Sequence, residues 1–119
     1  QQVQGQLGQL GAAAGAQDRE AMVQLATLSE PEEARYWLLR ASELGYAHAM
    51  LHLADMLMAD DPVGALSWLY AAVALNADDA ARKRAAALAR EMTAKEIEAA
   101  QKAGRLYARD IAQRSKERA

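Results

Sequence analysis

A single self-overlap constrains this chain more tightly than its composition does. Displaced by 31 positions, the sequence lays Pro31 on Pro62, Ala34 on Ala65, Trp37 on Trp68, Leu38 on Leu69, Ala41 on Ala72 and Leu44 on Leu75. Gly45 falls on Asn76, and these are the two residue types that most readily close a helix in a left-handed conformation. Ala49, Ala54 and Leu57 continue the register onto Ala80, Ala85 and Leu88. The chain holds 2 Trp, both at one phase of this period. A period of about thirty residues with apolar positions at helical spacing marks an array of stacked helix pairs. The two indoles are therefore expected in equivalent surroundings, wedged between neighbouring helices, where removing either costs about 3–5 kcal/mol.

Start and stop chemistry divides the chain further. Asp18 is placed to cap a helix reaching about Ser29, with Ala21, Met22, Leu25, Ala26 and Leu28 as its apolar stripe. The run Ala21-Met22-x-x-Leu25-Ala26 recurs as Ala49-Met50-x-x-Leu53-Ala54, so a further copy begins here. Ser29 and Glu32 frame Pro31 as a capping box for a helix that Gly45 stops. A helix over 47–59 follows, and Asp61 then caps another over 62–75, with Pro62 in its first turn. Asp78 or Asp79 opens one more, through Glu91. Thr93 and Glu96 form a second capping box ahead of a long helix to about residue 115, where Ile97, Ala100, Gly104, Tyr107, Ala108 and Ile111 share a face.

Residues 1–16 are rich in Gln, Gly and Ala, with Val3, Leu7 and Leu10 at helical spacing. Each glycine there costs a helix about 1 kcal/mol, so the segment is expected as a weak helix, frayed or stabilised by a partner. The expected organisation is this weak helix over 1–16, repeats over 17–91, and a capping helix with a basic tail over 92–119, all in one domain. No apolar run alternates as a strand would, and the chain is expected to be all-α.

Composition enters at three points. Alanine supplies roughly a quarter of the residues and Phe is absent, which favours closely approaching helix axes. The absence of Cys excludes disulfides and thiolate metal sites. Apolar runs are short and broken by charges, so no membrane insertion is expected. The net charge of −2 conceals an asymmetry: residues 1–80 carry three basic against eleven acidic groups, and residues 81–119 carry eleven against five. Such a distribution bears on association and steering, not on fold.

The pattern Ala49-x-x-x-Leu53-Ala54-x-x-Leu57, then Ala65-x-x-Trp68-x-x-x-Ala72, with a small residue or Asn as the stop, resembles the Sel1-like repeat, a relative of the tetratricopeptide repeat. The same signature runs through Ala21, Leu25, Ala26, Ala34, Trp37, Ala41 and Gly45, and residues 92–107 resemble the closing helix of such arrays. The resemblance implies a right-handed superhelix of antiparallel helix pairs with a concave face, used by adaptors and assembly platforms in bacterial envelope or secretion systems. In the third copy Arg82, Lys83 and Arg84 stand where the second has Leu51, His52 and Leu53. A register shift or a solvated cap explains this, and terminal repeats are commonly atypical.

The first helix of each pair lines the concave face in the relatives. That implies a partner-binding row of Gln24, Thr27, His48, His52 and Asp55, continued by Arg82 or Lys83. His48, His52 and Asp55 occupy successive turns of one helix, a spacing compatible with metal ligation. With no third strong ligand assignable and no H-E-x-x-H signature, they are read as groove-facing, and no metal or cofactor is expected. Met22, Met50, Met56 and Met92 read as core fillers, with Met58 reaching the surface. No Gly-rich phosphate loop or nucleophile elbow is present, so no catalytic residue is assigned and an enzyme is not expected.

Three functions remain. The foremost is a non-enzymatic adaptor that binds a peptide or partner helix. The alternative is a self-assembling homo-oligomer joined through its oppositely charged ends. Behind both stands nucleic-acid binding through the basic residues of 82–118, which Glu91, Glu96, Glu98, Asp110 and Glu117 interrupt. The Ala and Arg content points to a bacterium, and an opening at Gln1 is expected of a trimmed or processed chain. The periplasm or envelope is favoured over the cytoplasm.

Overall fold

The computed structural model describes residues 19–28 and 30–118, and among these every regular element is an α-helix. In chain order they are α1 (Arg19–Leu28), α2 (Pro31–Glu43), α3 (Ala47–Leu57), α4 (Pro62–Asn76), α5 (Asp79–Ala89) and α6 (Ala94–Arg118). The helix expected over 1–16, the Asp18 cap and the Ser29 half of the first capping box lie outside the described residues.

Most helix ends follow local chemistry. Asp61 accepts from the Gly64 N–H at 3.0 Å to open α4, and Asp78, not Asp79, caps α5 by accepting from Ala81 N–H at 2.8 Å. The box ahead of α6 is reciprocal: Thr93 N–H donates to Glu96 Oε1 at 2.8 Å, and Glu96 N–H donates to Thr93 Oγ1 at 3.2 Å. At α2 the N-cap is Glu30, which makes no side-chain cap bond. Pro31, with its fixed φ, and the carboxylates of Glu32 and Glu33 near the positive helix end favour the start there. Helix α2 stops at Gly45, with φ +90°. Helix α4 keeps Asn76 helical, and the left-handed residue is Ala77 (φ 49°), one position later than the overlap predicts.

Helices pack with their neighbours in sequence, α1 on α2, α2 on α3, α3 on α4 and α4 on α5, while α6 makes its most extensive contact along α4. One apolar cluster runs through all of them, built on Met22, Leu25, Leu38, Ala41, Met50, Leu53, Leu66, Leu69 and Ala72. Met58 is exposed, whereas Met56 and Met92 pack partly buried on this core. In α5 the buried residues are Ala81, Ala85 and Leu88, one period after Met50, Ala54 and Leu57. Ala80 and Arg84, one period after the buried Ala49 and Leu53, are exposed. The register is thus kept and half of the stripe is solvated, as a cap requires.

The contact of α6 with α4 is unusually close. A Cβ at Gly104 would stand 2.8 Å from Tyr70 Cβ and 2.9 Å from the Ser67 carbonyl oxygen. Only a residue without a side chain lets the two backbones approach so far. Ala100 and Ala71, both fully buried, belong to the same helix pair. Beyond this crossing Tyr107 lies flat on Trp68, with centroids 4.4 Å apart and planes 18° from parallel. Helix α6, with 25 residues against 15 in α4, then reaches the first helix pair, where Arg114 Nη1 meets Glu43 Oε2 at 3.2 Å.

The equivalence expected of the two indoles fails here. Trp68 is buried at 6% exposure, whereas Trp37 is half-buried and meets its neighbour Tyr36 edge-on at 5.1 Å. The stack is present, but α6 covers α4 and supplies the aromatic lid at Trp68.

Candidate interaction surface

Helices α1 and α3 bound a cleft whose floor comes from α2. It measures ≈ 280 Å³ and is lined by Val23, Ala26 and Thr27 of α1, Ala34 and Leu38 of α2, and His52, Asp55 and Met56 of α3. The floor is apolar because the stripes of α1 and α2 that build the core surface here. The rim carries a hydroxyl, an imidazole and a carboxylate. An apolar cleft with a few convergent polar groups buries an anchor side chain and orients it by hydrogen bonds.

Of the seven residues expected on the binding face, Thr27, His52 and Asp55 meet at this cleft. Gln24 is exposed beside it, its carbonyl oxygen accepting from Thr27 Oγ1 at 2.7 Å. His48 is exposed one turn before His52 on α3, and their Nε2 atoms approach to 3.1 Å. Arg82 and Lys83 are exposed but do not line the cleft, and Arg82 pairs with Asp79 of its own helix at 2.9 Å.

The basic residue that joins the row is Arg84, which the sequence reading passed over. Its Nη1 donates to both carboxylate oxygens of Asp55, at 3.1 and 3.2 Å, tying α5 to α3. The available signal was its phase. Arg84 stands one period after Leu53, a position the preceding copy reserves for an apolar side chain, and a charge there calls for a partner on the neighbouring helix.

A second cleft of ≈ 260 Å³ opens among α2, α4 and α6, where Leu39, Trp68, Tyr107 and Ile111 supply the apolar wall. Glu43 and Arg114 line it too, and their ion pair joins α2 to α6. Near it α2 exposes Tyr36 and Leu39, and Arg40 lies over the Tyr36 ring at 5.6 Å. No helix among the described residues is long and apolar enough to cross a membrane.

Helix pairs in sequence, one continuous core and a half-solvated α5 define an all-α solenoid. The particular solenoid is the Sel1-like repeat fold. The structure is similar to the crystal structure of a protective antigen present in uropathogenic Escherichia coli strains, which displays an SLR fold, with a TM-score of 0.84 at 18% identity. The match covers 94% of this chain and 27% of that one, so the chain spans about a quarter of that structure's length. No protein-family model and no curated protein matches the sequence.

Proposed function

We propose that the chain is a non-enzymatic protein-interaction module that takes a peptide or partner helix across α1 and α3, in a bacterial envelope, secretion or regulatory assembly. The observation that carries this reading is the cleft between those helices, with its apolar floor and its rim of Thr27, His52 and Asp55. Stacked helix pairs leave a curved surface of this kind as a consequence of burying their stripes against one another. The likeness to a bacterial protective antigen supports the setting.

Self-assembly through oppositely charged ends has less to draw on. Two of the rear cations, Arg84 and Arg114, already pair with the front acids Asp55 and Glu43 inside one chain. Light scattering across salt concentrations checks it: a monomer at every salt concentration discards self-assembly, and an oligomer that dissociates as salt rises supports it.

The adaptor reading is tested with a photo-crosslinking residue at position 27 in one variant and at exposed Leu106 in another. Capture of one partner from position 27 alone, lost when His52 and Asp55 become Ala, is the expected result. Equal capture from both positions, or binding unchanged by the Ala substitutions, overturns it.

A further inference from the structure

Spacing alone assigns no ion to His48 and His52, because no third ligand accompanies them. What the structure adds is how close their ring nitrogens come. The rings are 76° from parallel with centroids 4.6 Å apart, and the two Nε2 atoms converge to 3.1 Å at the lip of the cleft that His52 lines. Two imidazole nitrogens each at about 2.0–2.1 Å from one divalent ion stand about 2.9 Å apart at a right angle and about 3.4 Å apart at the tetrahedral angle. The observed separation of 3.1 Å lies between these limits, so the nitrogens already stand at the spacing one ion requires.

We propose that His48 and His52 form a two-imidazole site for a divalent ion of the nickel and zinc class. The i, i+4 spacing on one helix is the one helix-borne metal sites use to aim two nitrogens at a common point. His48 is exposed, which gives the ion a way in. No other imidazole and no thiolate competes for the ion, since the chain contains 2 His and no Cys.

The site is bidentate by construction. Among the described residues no group of three His, Cys, Asp or Glu converges, and the nearby Asp55 carboxylate is engaged by Arg84 through both oxygens. The remaining coordination positions therefore go to water or to a donor from whatever occupies the cleft. This proposal stands whether or not the cleft binds a protein.

The competing occupant of the same geometry is a single proton shared between the two nitrogens. Titrating the full, untagged chain with nickel chloride and with zinc chloride by calorimetry separates the two. Saturable binding is expected, with the ring resonances of both histidines moving together in NMR spectra. His48→Ala and His52→Ala are each expected to weaken it by roughly a hundredfold or more, the gain that linking two ligands confers. Helicity by circular dichroism confirms that each variant is folded, and His52→Gln replaces His52→Ala should that variant unfold. Absence of saturable binding, movement of one ring only, or undiminished affinity in a folded single variant overturns the proposal and leaves the proton-shared pair.

Discussion

Trp37 and Trp68 are the same residue laid down twice, 31 positions apart, and they differ in what they do. Trp68 sits in α4 beneath α6, closed off by the flat face of Tyr107. Trp37 sits in α2, only partly buried on the core and with Tyr36 against its edge. The difference teaches that a repeat position has no energy of its own in a short array. Its contribution depends on which neighbour stands beside it, and here the closing helix serves the second pair far more than the first.

The largest expected effect tests that contrast directly. Trp68→Ala removes a buried ring and its stacked partner, and is expected to cost about 3–5 kcal/mol in chemical denaturation. Trp37→Ala forfeits a partly buried ring, and about 1–2 kcal/mol is expected from the smaller apolar area re-exposed. Equal costs for the two would break the comparison.

Gly104→Ala sharpens it from the side of α6. Alanine gains about 1 kcal/mol of helix propensity over glycine, yet its Cβ would press on the Ser67 carbonyl at 2.9 Å and on Tyr70 Cβ at 2.8 Å. Backbone cannot step aside as a side-chain tip can, so α6 must lift. A net loss of about 1–3 kcal/mol is expected, with weakened Trp68–Tyr107 stacking visible as a red-shifted, more quenchable Trp emission. A variant as stable as the parent would show that α6 is not held by close approach at this crossing.

How much of this was legible in the sequence follows from what each feature depends on. Pro62, Asp61, Thr93 and Glu96 act within four residues of themselves, so their roles could be read directly. The apolar stripes of α3 and α4 repeat, so their burial could be read from period alone. The burial of Trp37 could not, because it depends on whether a distant helix covers it, and nothing in the repeat registers that α6 lies along α4. The same holds for the candidate surface. Thr27, His52 and Asp55 were reachable through the resemblance, which puts the first helix of each pair on the concave face, whereas Arg84 acquires its role only from the Asp55 carboxylate on another helix.

The two helix ends make a smaller paired test. Gly45 occupies its φ of +90° without strain, and Ala77 is held at +49°, where a Cβ crowds the following carbonyl. Ala77→Gly is therefore expected to stabilise by up to about 1 kcal/mol, and Gly45→Ala to destabilise by about as much. Melting temperatures moving in opposite directions would bear this out, and a loss from Ala77→Gly would show that backbone entropy outweighs the relief.

The smallest effect concerns Asp55 and Arg84. Their side chains remain 52% and 45% exposed, so water screens the pair despite its two short contacts. Such pairs contribute about 1 kcal/mol or less, and added salt erodes them. Asp55→Asn keeps the shape and removes the charge, so a loss of a few tenths of a kcal/mol is expected at low salt, shrinking in molar salt. The double variant with Arg84→Gln should lose no more than either single variant, because both delete one interaction. Should the two losses instead add, the pair is not coupled, and α5 is held to the stack by its packing on α4 and its buried Ala81, Ala85 and Leu88. A solvated cap tolerates that outcome, because its buried half-stripe keeps the register and the exposed half only trims the angle at which α5 closes the stack.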